Sequence, residues 1–302
     1  MSRICLPLIA VVLMALGCMP RSAKADEGAG LEGKIWRVAD NTFISVTHLL
    51  DDLEKARFVL IGERHGRRAH QNREAFLLAA LAERKRYPGV VFEMLTHSQD
   101  PIVADYRRRS PEYAVGLGAA LGWHKTHWPA WSFYAPVFQV AFGAKLPIVG
   151  ADLTEQDRER ISNSSLDPLP EADPRRGSWS ASLKNAHCDQ IGETRLSDLT
   201  RLQLVRDETM ARALEEVAGR ADGAVLIAGS AHVRKDRGVP TYLESQDVRS
   251  VALLETRKGK SPAEHLPASV GGKRPVYDYV WFTPRLKDLS VCERLRKRGL
   301  LK

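Results

Sequence analysis

The chain has 302 residues, 44% of them hydrophobic and 27% charged, enough apolar surface for a folded core and nothing like a disordered, collagenous or low-complexity composition. Its formal charge of +8 names no partner by itself, and it argues for neither nucleic acid nor a membrane surface. Arg3, Arg21 and Lys24 lie in the first 25 residues, which hold no acid, and without those three the +8 becomes +5, spread along the chain.

At the N-terminus, Arg3 precedes an apolar run from Ile4 to Leu16, and Ala23-Lys24-Ala25 offers a small-x-small cleavage site before Asp26. This is the pattern of a secretory signal peptide over residues 1–25. The run is shorter than the roughly 20 residues a membrane span needs, and no later segment is a candidate for one. Ala15-Leu16-Gly17-Cys18 resembles an imperfect bacterial lipobox, with its leucine one place from the preferred position. Two forms are therefore expected as alternatives, a soluble periplasmic protein and one lipid-anchored through Cys18. Export also places Cys188 and Cys292 in an oxidising compartment, where they are expected to pair; the alternative is two buried free thiols.

In chain order, five short apolar runs read as strands: Phe58–Ile61, Val90–Phe92, Pro147–Val149, Ala224–Ala228 and Ser250–Leu254. A sixth, Tyr279–Phe282, reads as an edge strand. They are near-continuously hydrophobic, as strands buried on both faces are. Helical patterns alternate with them, Gln71–Arg86 before the stop signal Tyr87-Pro88-Gly89 and Leu196–Val217 before Gly219. The expectation is a single α/β domain over residues 30–295, with a mainly parallel central sheet flanked by helices. Residues 162–182, rich in Ser, Pro, Asp and Arg and without periodicity, read as an excursion on the surface.

The residues at the carboxyl end of each strand form the most informative pattern. The first strand leads into Gly62-Glu63-Arg64-His65, the second into Glu93-Met94, the third into Gly150-Ala151-Asp152 and the fourth into Gly229-Ser230-Ala231-His232. In a parallel sheet these carboxyl ends share one edge, where such folds place their ligand sites. Any one of these residues alone reads as a cap or a hydrogen-bonded structural group. Together, Glu63, His65, Glu93 and His232 are candidates for metal coordination or general acid–base chemistry, and the residue types serve both. No zincin, Walker, dinucleotide-binding or nucleophile-elbow motif accompanies them.

A second signal is the window Trp123 to Phe142, which carries seven aromatic residues interleaved with His124, Lys125 and His127. Tyr134, Phe138 and Phe142 are four apart, one stripe of a helix set by Pro136, and the last two read as core. The remaining aromatics and basic groups suit a flat apolar ligand with anionic substituents.

Gly62-Glu63-Arg64-His65, Val91-Phe92-Glu93-Met94, Trp128 to Pro136 and Leu146 to Asp152 resemble the ChaN family of bacterial haem-binding uptake proteins. So do His187-Cys188, the helix bearing Gln203, Arg206, Asp207, Met210 and Ala211, and Ile227 to Pro240. The motifs run in order from about residue 55 to 243, and a more distant similarity extends to the Tiki, TraB and erythromycin-esterase group. The resemblance implies an exported, often lipid-anchored protein of haem or iron acquisition. It implies non-covalent haem with a tyrosine axial ligand, a pocket associated with dimerisation, and an outer-membrane receptor as partner. Tyr134 matches the tyrosine context, and His65, His124, Lys125 and His127 are the candidates for the haem propionates. One departure is Gly66-Arg67-Arg68, where the family commonly has an acidic residue, which makes this strand end unusually basic. A binding protein is the leading expectation. The alternative is a hydrolase, with or without a divalent metal, using Glu63, His65, Glu93 and His232.

Overall fold

Apolar runs without polar alternation need cover on both faces, and the chain supplies it with helices on either side of one sheet. The computed structural model describes residues 30–163, 169–272, 275–286 and 291–299; the signal segment 1–25, with Cys18, lies outside the described residues. The first elements are β1 (Ile35–Arg37), β2 (Thr42–Ile44), α1 (Val46–Leu53), β3 (Phe58–Glu63), α2 (Arg68–Glu83) and β4 (Gly89–Thr96). Then come α3 (Asp100–Arg109), α4 (Leu117–Ala120), α5 (Trp131–Gly143), β5 (Ile148–Asp152), α6 (Glu155–Ser162) and α7 (Pro174–Ala186). The chain continues through α8 (Glu193–Ala218), β6 (Ala224–Gly229), β7 (Val248–Glu255), β8 (Tyr279–Thr283) and α9 (Val291–Lys297).

The described strands form an eight-stranded sheet in the order β2-β1-β8-β7-β3-β6-β4-β5. Neighbours from β8 across to β5 are parallel, and β1 and β2 add an antiparallel margin. The expected α/β class is therefore present. The expected edge position of Tyr279–Phe282 is corrected: β8 lies inside the sheet because β1 pairs with its outer side. β1 and β2 are three residues each, too short to leave an alternating pattern in the sequence.

One face of the sheet packs on α1, α2 and α5 through Leu49, Leu53, Leu77, Leu81, Phe138 and Phe142. The other packs on α8 through Met210, Leu214 and Val217. Burying one such side chain is worth about 1.5–3 kcal/mol. The stripe helix starts at Trp131, five residues before Pro136. Proline has no N–H for the Ser132 carbonyl four residues back, and the Arg68 guanidinium takes that carbonyl instead.

The surface excursion expected over residues 162–182 is corrected in part. From Pro174 it is the helix α7, whose N-cap Asp173 accepts from the Arg175 N–H, while 164–168 lie outside the described residues. α7 packs on α8 through Trp179 and Leu204, a short contact that masks its periodicity. Cys188 and Cys292 stand at disulfide distance, Cα to Cα 5.5 Å, and tie the α7–α8 connection to α9. Among the described residues no helix is long and apolar enough to cross a membrane.

Candidate functional site

The ends of β3, β4, β5 and β6 meet at one edge. Glu63 closes β3 with its side chain buried, and Nδ1 of His65, two residues on, lies 2.6 Å from its Oε1. The Tyr134 hydroxyl, brought by α5, donates to the same oxygen at 2.9 Å and lies 3.3 Å from the His65 nitrogen. Gln71, near the start of α2, donates to the other oxygen.

β4 loses its regular register against β5 between Phe92 and Thr96, and irregularities of this kind re-aim side chains beside functional sites. Glu93 sits at that point. Its Oε2 accepts from the Gly229 N–H at 2.6 Å and lies 3.6 Å from His65 Nε2. Its Oε1 accepts from Arg206 at 2.7 Å and faces His232 Nε2 at 3.3 Å. Nδ1 of His232 is 2.7 Å from Asp207, whose second oxygen accepts from the Trp179 indole at 3.1 Å. The result is an alternating carboxylate–imidazole series, Glu63, His65, Glu93, His232, Asp207. Arg206 ties it to Asp152 at 2.9 Å, and Arg158 closes on that carboxylate at 2.8 Å. A Cβ at Gly229 would stand 3.1 Å from His65 Nε2, so glycine is what admits the imidazole here.

Burial opposes charge throughout the series, and neighbouring charges decide the outcome. Burial works against the His65 imidazolium, but Glu93 and Glu63 outweigh it and hold its pKa above the ordinary value. For His232 burial is likewise overcome by Glu93 and Asp207, which push it up to about 9. Burial would raise the Glu93 carboxyl, yet His232, Arg206 and His65 hold it well below the usual range. Burial leaves the Asp207 pKa raised despite His232 and Trp179. Glu74 of α2, wholly buried, is held well above the usual carboxylate range by burial and then by Glu63. Burial and the Glu63 charge also raise the Tyr134 phenol.

Of the residues expected at the site, Glu63, His65, Glu93, His232 and Tyr134 come together. His127 is at the rim: its exposed ring lies 4.6 Å from Trp128, whose ring meets His65 edge-on at 4.9 Å. Burial of part of the His127 ring lowers its pKa. His124 and Lys125 are exposed and contribute no hydrogen bond to the network. Trp123 is structural, its indole donating to the Pro129 carbonyl at 2.7 Å. Sequence reasoning gave no role to Arg206, Asp207, Arg158, Gln71, Glu74 or Trp179. The readable signal was Arg206-Asp207, two charged residues within the apolar stripe Leu202, Met210, Leu214 of α8.

Among the described residues no group of three or more His, Cys, Asp or Glu side chains is arranged to hold a metal ion. For haem, the donor chemistry fits: a phenol oriented by a carboxylate, an imidazole–indole rim and cations nearby. Tyr134 is fully buried, however, and its partly exposed neighbour His65 covers the hydroxyl with Trp128 alongside.

The model of the family described as haem-binding uptake, Tiki superfamily, ChaN matches residues 49–243, which include every member of the network. Among solved structures, ChaN of Campylobacter jejuni, described as binding haem cofacially, is 23% identical. That match covers 82% of this chain and 95% of that one with a TM-score of 0.66, a shared fold. A type III effector (17% identity, 79% and 92% covered, TM-score 0.45) and an erythromycin esterase mutant in its open conformation (14%, 81% and 95%, 0.43) are fainter likenesses that bear on nothing further. No curated protein matches the chain. With the family model spanning well over half its length and the whole of the site, the chain belongs to the ChaN family of haem-binding uptake proteins.

Proposed function

We propose that the chain is an exported haem-binding protein of haem or iron uptake, holding haem without covalent attachment and with Tyr134 as axial ligand. The observation that carries this is the 2.9 Å hydrogen bond from Tyr134 to Glu63. Bound haem would supply a ferric centre, for which a tyrosinate is a suitable ligand. The phenol must lose its proton first; burial and Glu63 hold that proton on the oxygen, so the ferric centre itself would have to draw it off, with the hydrogen bond aiming the oxygen.

Because Tyr134 is buried, ligation and the closed arrangement exclude each other: His65 and Trp128 must part for the hydroxyl to be reached. His127 and Trp128 then offer a flat rim, with the exposed His124 and Lys125 as candidates for a propionate. The reading expects a periplasmic protein, soluble or anchored through Cys18, a second copy in the haem-bound state, and an outer-membrane receptor. A hydrolytic reading of Glu63, His65, Glu93 and His232 has less support, because His232, pushed up to about 9 by Glu93 and Asp207, would not serve as a base at neutral pH.

Titration of the purified protein with hemin tests the proposal. A saturable Soret change in the parent and an altered spectrum in Tyr134→Phe are expected. No saturable change, or an unchanged spectrum in the variant, would overturn it.

A further inference from the structure

Beside His65, a cavity of about 320 Å³ is lined by Glu63, Arg64, His65, Ser230, Leu254 and Glu255 among others. The lining combines the apolar Leu253 and Leu254 with the charged Glu63, Arg64 and Glu255. Arg64 Nη1 lies 2.6 Å from Glu255 Oε2, and Arg67 Nε lies 3.3 Å from the other oxygen. Two guanidiniums thus share one carboxylate, which also accepts from the Leu286 N–H at 3.2 Å. Arg68 adds a third cation nearby, on the Ser132 carbonyl and 4.6 Å from the Phe133 ring centroid. Burial first, and then Arg73, Arg67 and Arg64, push the His70 imidazole down to about 3.

We propose that Arg64 and Arg67 form a carboxylate-binding subsite that Glu255 fills from within, and that a carboxylate on an apolar body displaces Glu255 when it enters the cavity. Guanidinium forks bind carboxylates in pairs of hydrogen bonds, so Glu255 and the incoming group compete for the same donors. Arg64 is half exposed, 53% for its side chain, so it can turn to the ligand without disturbing the core. The apolar body lies along Leu253 and Leu254. This rests on the haem reading and deepens it: in that reading the carboxylate is a propionate, read by this chain's own unusually basic strand end.

The test compares hemin with haem dimethyl ester, and octanoate with octanol, on the full chain and on Arg64→Ala and Glu255→Gln. Hemin is expected to bind roughly tenfold more tightly than its ester. Arg64→Ala should cut that preference several-fold, and Glu255→Gln should tighten hemin several-fold while leaving the ester unchanged. Equal affinity for acid and ester in the parent, or weaker binding of hemin to Glu255→Gln, overturns the subsite. If hemin does not bind the parent at all, the haem reading falls and the aliphatic pair decides. Octanoate preferred over octanol, with the preference cut several-fold in Arg64→Ala, supports the subsite; no preference overturns it.

Discussion

Tyr134 and His65 converge on one oxygen of Glu63, the hydroxyl at 2.9 Å and the imidazole nitrogen at 2.6 Å. The phenol therefore depends on the same carboxylate that holds His65 over it. In the proposed reading His65 must move before the hydroxyl can meet iron, and that movement leaves Glu63 bonded to Tyr134 and Gln71.

Glu93 is the hub of the interior charges, facing Arg206, His232, His65 and the Gly229 N–H. Removing one side of a buried ion pair leaves the other uncompensated. Glu93→Ala should lower unfolding stability by about 3–5 kcal/mol, and Glu93→Gln by less, since the amide oxygen still accepts from Gly229. Urea denaturation measures both. A loss below about 1 kcal/mol for the alanine variant would place little of the fold's stability in this hub.

The His232 pKa is raised to about 9 from an ordinary 6.5. Its pairing with Glu93 and Asp207 thus contributes fully below pH 6.5 and is lost as pH rises through 9. Stability should fall across that window by at most about 3 kcal/mol, and the fall should shrink in His232→Gln. Melting temperatures at several pH values between neutral and alkaline are the measurement; an equal fall in parent and variant would assign the effect to other groups.

Glu74 is fully buried, and its polar neighbour is the Glu63 carboxylate, to which it can donate only when protonated. An apolar side chain of similar shape removes that desolvation cost, so Glu74→Met should raise stability by roughly 1–2 kcal/mol. A comparable loss in denaturation would show that Glu74 shares a proton with Glu63 and supports it.

The sheet was legible because its parallel strands are apolar without interruption, and the site was legible because Glu63, Glu93, Asp152 and His232 close or follow those apolar runs. β1 and β2 were not, being short, and their presence moved β8 from the edge to the interior. Arg206, Asp207 and Gln71 stand on helices, where a polar residue inside an amphipathic pattern looks like solvated surface until the helix's rotation is known. The aromatic window was legible as a site neighbour, but sequence could not show that Tyr134 is beneath His65 while His124 and Lys125 face outward. Those positions are set by where α5 starts, at Trp131, upstream of the proline that marks it.

The disulfide closes a span of 104 residues. In the chain-entropy account a loop of this size is worth about 4–5 kcal/mol, so Cys188→Ser with Cys292→Ser should lose up to that amount. Intact mass after alkylation, with and without reductant, checks the pairing first. Alkylation of both cysteines without reductant would contradict it.

The measurement closest to the central claim is rapid-mixing hemin binding to the parent, Tyr134→Phe, His65→Ala and His127→Ala, tracked through the Soret band. If Tyr134 is a ligand covered by His65, then His65→Ala binds faster with the parent's final spectrum, and Tyr134→Phe loses that spectrum. A parent-like spectrum in Tyr134→Phe, lost instead in His127→Ala, would contradict the account and move the iron to the rim.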